Sequence, residues 1–547
     1  MKTCLTPAHS ASLRYQHLAC ALLVALALWG PSFGTAAALT PGANAVIRNI
    51  TITPLPIFNE RKPGERKQLF RLANSLHIET QVETIRAQLL FKEGDVYADR
   101  EMRETERNLR RLRFLREPQI RIIGIDGDQV DIEVQTTDVW SLAPTITIGR
   151  SGGSNRSAIG IEDVNFLGLG KVINLEFVKD RERTRNLLAY KDPNLGFGRW
   201  TLDAILSNNS DGHLIELSVQ KPFYSLQAQT SFALQLSDQD SLLRRYALGE
   251  EVGRFQAQVQ QFEVRAGSSE GLIDGWTQRF SYGASFERAR FAQDGINASA
   301  GSLPTERKFI YPFAQWEFLQ DDFATTINKD QIGRTEDEAF GQRYFLRAGL
   351  ASRSFGSLDS AALIQLEASN GFRLSANQSL FIKANAQGRV TSGTTENASI
   401  AGELRYFWRQ NDYNTSYVAV QSNYGRRLDL DQQLLLGGEN GLRAYPIAFQ
   451  TGEQSALLTF EQRRFTNYRP LKLFSLGAAV FADVGRVWGS DAAGARRLGT
   501  LKDVGVGLRL GNLRSARANM LHLDVSFPLD DPRGSSPQFS VETRTLF

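Results

Sequence analysis

From about Ser141 to the carboxyl end, apolar and polar residues alternate with a period of two. The clearest runs lie late in the chain. Leu476, Ala478, Val480, Ala482 and Val484 alternate with Gly477, Ala479, Phe481, Asp483 and Gly485, and Val504, Val506, Leu508 and Leu510 with Asp503, Gly505, Gly507 and Arg509. Leu521, Leu523, Val525 and Phe527 alternate with His522, Asp524 and Ser526, and Phe539, Val541, Thr543 and Thr545 with Ser540, Glu542 and Arg544. Successive side chains of a strand point to opposite faces, so each run predicts a strand with one apolar face and one polar or glycine face. A soluble sandwich would turn the apolar face inward. The number of such segments favours instead a transmembrane antiparallel β-barrel with lipid outside and a polar lumen. Residues 140–547, at roughly 25 per strand plus connection, give about sixteen strands, while a direct tally of alternating segments comes nearer to about twenty.

Before residue 140 the period changes to that of helices. Val46 to Thr53 reads as a strand. Glu65 to His77 and Gln81 to Phe91 carry Leu69, Leu72 and Leu76, and Val82, Ile85 and Leu89, at helical spacing. A third helix runs from Asp99 to about Phe114. Gln119–Gly124 and Val130–Gln135 then form a hairpin through Asp126-Gly127-Asp128. This predicts one compact α+β domain within residues 39–139. Its third helix carries Arg103, Arg107, Arg110, Arg111, Arg113 and Arg116 among Glu101, Glu104 and Glu106. Such a set is either a solvated, salt-bridged face or a surface for an anionic membrane or acidic partner.

Lys2 and Arg14 precede an apolar run from Leu18 to Trp29, and Ala36-Ala37-Ala38 follows, which predicts an export signal over residues 1–38. No later stretch offers about 18 consecutive apolar residues, so a closed barrel is the remaining way across a bilayer. A mean hydropathy of -0.29 is compatible with one. Cys4 and Cys20 are the only cysteines, both inside the signal, so the exported chain has no disulfide framework. The whole chain has 63 basic and 59 acidic side chains, a balance that argues against nucleic acid as the partner.

Chemistry-bearing motifs are sparse. His77, His213 and His522 are far apart in sequence, and no zinc cluster is expected. Gly149-Arg-Ser-Gly-Gly153 formally matches a nucleophile elbow, but an alternating strand continues beyond it where a helix would be required, so it reads as a hairpin turn. Neither catalysis nor a cofactor is expected. The stretch that stands out is Leu434-Leu-Leu-Gly-Gly-Glu-Asn-Gly-Leu-Arg-Ala-Tyr-Pro446. Gly437, Gly438 and Gly441 permit backbone angles that other residues refuse, and Arg443 lies at the apex. An arginine there is either solvated or pinned to carboxylates on another segment. Glu461 shares its alternation phase with Thr459 and Arg463, and Asp483 with Gly477, Ala479 and Phe481, so both acids should face the lumen. A loop folded inward would set Arg443 between them.

Taken together, several motifs carry a resemblance. They are Phe91-Lys-Glu-Gly-Asp-Val-Tyr97, the helix end Leu109–Phe114, Asp131–Val134, Glu162-Asp-Val-Asn-Phe-Leu-Gly-Leu-Gly170, Gly437-Gly438 through Tyr445, Phe481-Ala-Asp-Val-Gly485 and a closing Phe547. With these in order, the chain resembles the superfamily of outer-membrane assembly factors and translocators that includes BamA, TamA and the two-partner secretion transporters. Leu442 and Ala444 stand where that family has Val and Gly, and Thr545 where an aromatic is often found. The resemblance implies a sixteen-stranded barrel at residues 140–547 in a Gram-negative-type outer membrane, with a single periplasmic POTRA domain. It also implies that the Arg443 loop is the sixth extracellular loop, folded inward onto Phe481–Gly485. The implied function is insertion or translocation of a client outer-membrane or secreted polypeptide, by strand addition and opening of the first-to-last strand seam. The implied partners are membrane lipids, the client and a periplasmic partner, with no nucleotide. Two other readings are a secretion pore or transporter, and a structural barrel docking a partner through its amino-terminal domain.

Overall fold

The computed structural model describes residues 41–544 apart from 43, 63–64, 197, 295–302, 471–472, 490–497, 517–519, 532–533 and 535. The expected export signal and Phe547 lie outside these residues. The chain begins as a small α+β module. Strand β1 (Val46–Leu55) pairs in parallel with β3 (Gln129–Asp138), which pairs antiparallel with β2 (Leu115–Asp126), giving the order β1-β3-β2. Helices α1 (Gln68–Leu76), α2 (Val82–Arg86) and α3 (Asp99–Arg111) lie between β1 and β2 in sequence. Ile47 and Ile50 of β1, Ile85 of α2, Met102 and Leu109 of α3, and Val130, Ile132 and Val134 of β3 share one buried core. The alternation along β3 selects its buried face, and the i, i+7 pair on α3 supplies the matching stripe.

The remaining chain forms a closed antiparallel barrel of twenty strands, from Leu142–Ser151 to Gln538–Arg544. The sixteen given by the residue allowance and implied by the resemblance is therefore corrected to twenty, the number that the direct tally of alternating segments approaches. Many connections are shorter than the allowance of roughly 25 residues per strand and connection assumed. Gly152-Gly153, Leu248-Gly249, Asp274-Gly275 and Ser392-Gly393 each turn the chain in two residues that both have positive φ, the two-residue hairpin geometry that matches strand twist. Along Phe474–Trp488, Phe474, Ala478 and Val480 are exposed, while Gly477, Ala479, Phe481 and Asp483 are buried. The barrel thus carries its apolar face outward and its charges inward.

Odd-numbered barrel strands, counted from Leu142–Ser151, run away from the module, so connections alternate between the module end and the far end. The Arg443 loop, residues 427–453, is the eighth far-end connection, not the sixth. Two far-end connections follow it, as two would follow the sixth in a sixteen-stranded barrel, so the four extra strands precede it. At the module end the connection 321–342 folds into the lumen as a hairpin, Phe323–Ile327 with Thr335–Ala339. Its tip residue Ile332 packs on Phe465 and Met520. Closure of the barrel is slight. Gln538–Arg544 pairs with Met520–Pro528 from Met520↔Arg544 to Ser526↔Gln538, but with Leu142–Ser151 only at Val541↔Arg150, among the described residues.

Candidate functional site

The loop that carries Arg443 leaves the strand Asn414–Arg426 and re-enters at Gln454–Phe465. Leu434–Leu436 pairs with Gln450–Gly452 and draws its neck together. Between them the chain turns inward. Gly438 lies against the tip of the first barrel hairpin, where a Cβ would come within 2.4 Å of the Gly152 Cα. Gly441 has φ +123°, the left-handed region, and a Cβ there would meet Leu457 at 2.1 Å. The Gly437 carbonyl accepts from the Leu442 N–H at 3.1 Å. Leu442, Ala444, Tyr445 and Phe449 are then buried among Leu436, Leu457, Val487 and Leu501. Leu442 and Ala444 therefore fill space under the loop. The Ala444 N–H donates to Asp503 Oδ2 at 3.2 Å, and the Tyr445 hydroxyl donates to the Lys502 carbonyl at 2.7 Å. These contacts fix the direction in which Arg443 leaves the backbone.

Arg443 is 4% exposed. Its Nε lies 3.1 Å from Asp483, its Nη1 donates to Asp524 Oδ2 at 3.3 Å, and its Nη2 is 4.0 Å from Glu461. The guanidinium carbon stands 3.7 Å from the centre of the Phe481 ring, so the cation is held on its flat face as well as its edges. A second buried arginine, Arg509, pairs with Glu461 at 2.5 Å and with Asp524. Asp503 lies directly across the ladder from Asp483. Asp503, Asp524 and Arg509 were not singled out from sequence. The signal was present, because all three occupy the polar phase of their strands, and the antiparallel register brings that phase to one patch.

The loop is also fixed on the opposite wall. Asp429 accepts two hydrogen bonds from Arg389 at 2.7 and 2.6 Å, and Asp431 two from Arg307 at 2.9 and 2.7 Å. On the seam side, the Ser151 hydroxyl donates to the Gly438 carbonyl at 2.8 Å, and the Ile447 N–H to the Gly152 carbonyl at 3.3 Å. The loop therefore crosses the lumen and holds the tip of the first strand.

The arginines in and just after α3 divide: Arg103 and Arg111 are exposed, Arg103 pairing with Asp99 one turn away, whereas Arg107, Arg110 and Arg113 reach groups outside the module. Arg110 donates to Asp337 through two bonds of 2.9 and 2.7 Å, and Arg113 to Glu162 through two of 3.0 Å. Arg107 lies 3.8 Å over the Phe323 ring. Burial pushes the Arg107 guanidinium below its usual range. These residues fasten the module to the inward hairpin and the barrel rim. Glu117, in β2 with φ +47°, accepts from the Thr335 N–H and hydroxyl at 3.3 and 2.7 Å. Asp330 of the same connection pairs with Arg463 at 3.1 Å, and Arg463 with Glu461 at 3.3 Å. Ion pairs thus run without a break from the module-end hairpin to the Arg443 cluster.

No family model and no curated protein matches the chain. Among solved structures, CdiB from Escherichia coli is similar over 91% of this chain and 75% of its own, at 13% identity and a TM-score of 0.48. CdiB from Acinetobacter baumannii is similar over 91% and 74%, at 12% identity and a TM-score of 0.41. BamA from Haemophilus ducreyi lacking POTRA domains 1-3 is similar over 91% and 84%, at 12% identity and a TM-score of 0.37.

Proposed function

We propose that the protein is an outer-membrane factor that inserts or translocates client polypeptides, with the α+β module as a single POTRA domain in the periplasm and no bond chemistry of its own. The outward apolar face and the inward charges support a bilayer around the barrel. The observation that carries the function is the seam. Among the described residues its one ladder pair, Val541↔Arg150, lies at the far-end tip of the first strand, and Leu142–Gly149 has no ladder partner in Gln538–Arg544. Unpaired strand edges are templates for another strand. A client arriving from the module end would meet this edge first and could add to it before leaving sideways into the bilayer.

The Arg443 loop has a role in this scheme. It holds the Gly152 tip while anchored to the wall strands before the seam, so opening begins at the module end and reaches the far end last. Two inward segments occupy the lumen, which weighs against a freely conducting pore. Photo-crosslinkers at Ile146 and Ser540 in intact envelopes should capture nascent barrel proteins. A disulfide between Arg150→Cys and Val541→Cys should permit folding and block insertion when oxidised. Full insertion by the locked protein, or capture of one secreted polypeptide in the lumen and nothing at the seam, would reject the lateral route.

A further inference from the structure

Helix α1 carries three leucines on one side, Leu69, Leu72 and Leu76, at the i, i+3, i+7 spacing that forms a stripe. In a soluble module such a stripe would face the core. Here the three are 65%, 54% and 65% exposed, and Ile78 just beyond the helix is 51% exposed. The helix cannot simply roll them inward, because another side holds it. Phe70 is buried and stacks on Phe58 with ring centres 4.4 Å apart. That pair packs with Ile57, Ala73, Trp140 and Leu473. Glu65, just before the helix, turns inward to Arg514 at 2.8 Å.

Two features say what covers the stripe. The first is position. Trp140 immediately precedes the first barrel strand by way of Ser141, and Leu473 immediately precedes Phe474, which begins the outward apolar phase of its strand. The helix is therefore seated on the rim where the outward apolar band starts, beside the weakly closed seam. Tyr468, in the same rim turn as Leu473, is 66% exposed, as aromatic residues at a membrane boundary are. The second feature is charge. Around the leucines, Arg61, Lys62, Arg66, Lys67 and Arg71 are all exposed, against the exposed acids Glu60 and Glu79. An apolar stripe edged by cations fits the boundary between acyl chains and anionic headgroups.

We infer that α1 is an interfacial anchor, with Leu69, Leu72 and Leu76 set into the module-side leaflet and the surrounding cations among anionic phospholipid headgroups. The anchor rests on the membrane-spanning reading of the barrel, and it goes beyond that reading by giving the module a lipid contact of its own. Its consequence is geometric. The module is held against the bilayer next to the seam, so a client bound there is already at the membrane surface.

The test uses single cysteines carrying an environment-sensitive NBD fluorophore, in a full-length Cys4→Ser, Cys20→Ser background reconstituted into bilayers of phosphatidylglycerol and phosphatidylethanolamine. Leu72→Cys should emit blue-shifted light, be quenched by nitroxide on the lipid chain and be shielded from iodide. Arg71→Cys, off the stripe and toward the headgroups, should remain open to iodide, and Val480→Cys on the barrel wall should be quenched by the nitroxide lipid. Quenching at 480 with a solvent-like label at 72 would overturn the anchor and leave the barrel reading intact. No quenching at 480 would overturn the membrane reading and the anchor with it. Shielding at 72 that needs added polypeptide and brings no nitroxide quenching would assign the face to a client and overturn the lipid assignment. Removing phosphatidylglycerol should weaken the quenching at 72 and leave that at 480 unchanged; equal quenching in its absence would overturn the role of the cations.

Discussion

Arg443→Ala is the perturbation whose size the structure constrains best. Arg443 and Asp483 are 4% and 0% exposed in their side chains, so the pair is desolvated and needs no discount for solvent screening. Removing the guanidinium affects the neighbouring acids unequally. Glu461 and Asp524 keep Arg509 as a partner. Asp483 loses its cation while facing Asp503 across the ladder. An uncompensated buried charge of this kind costs about 3–5 kcal/mol. The unfolding midpoint in urea, followed by the heat-modifiable shift of the barrel on gels, should fall accordingly. Arg443→Lys should lie between, because a lysine keeps the charge but cannot address Asp483 and Asp524 together. Combining Arg443→Ala with Asp483→Asn should recover about 1–3 kcal/mol, since it removes the stranded charge. An unchanged midpoint for Arg443→Ala, or no recovery in the double variant, would refute the electrostatic account of the loop.

Two further outcomes follow from the packing. Gly438→Ala would place a methyl 2.4 Å from the Gly152 Cα, and relief of that overlap should cost about 1–3 kcal/mol and loosen the loop from the first hairpin; normal protection of the Ile447 amide in hydrogen exchange would contradict this. Arg110→Ala should weaken the module's hold on the inward hairpin, with a loss of about 1.5–3 kcal/mol for the charged double hydrogen bond to Asp337. Faster exchange over residues 323–339 is the readout, and Asp337→Ala should match it; no change in either would show that the pair is incidental.

Much of the fold can be read from the chain because the period of two survives even where single segments are only mildly apolar. Leu476 to Gly485 alternates without a break, and the structure follows that alternation residue by residue. Strand number was harder to read, because it depends on how little chain a turn consumes. Leu248-Gly249 and Ser392-Gly393 resemble many loop dipeptides, and only their positive φ values reveal turns that save several residues each. The inward hairpin at 323–339 was hidden for another reason. Its strands are five residues long, Phe323–Ile327 without a charge and Thr335-Glu-Asp-Glu-Ala339 rich in acids, so nothing common to their composition marks them as lumenal. Helix α1 reversed the usual inference from periodicity. The spacing of Leu69, Leu72 and Leu76 was legible, but which surface the stripe would meet depended on where Phe70 docked.

The candidate site shows where one-dimensional reading stops. Arg443, Glu461 and Asp483 could each be singled out, because a constrained loop, a lumen-facing phase and a glycine-flanked acid are local patterns. Asp503, Asp524 and Arg509 are equally polar and lie on equally clear strands, yet they join the cluster only through register. Asp483 meets Asp503 because residues 474–485 pair with 501–512 without a bulge, and a slip of one residue in the second strand would send Asp503 and Arg509 to the outer face. That cost in turn fixes the register of the strands before the seam. Buried charges with defined partners tolerate neither slippage nor exposure to an apolar surround, whereas the single seam pair among the described residues, Val541↔Arg150, imposes little on its neighbours. The same barrel can therefore hold its last wall strands rigidly around Arg443 and still leave the adjoining edge free to pair with another strand.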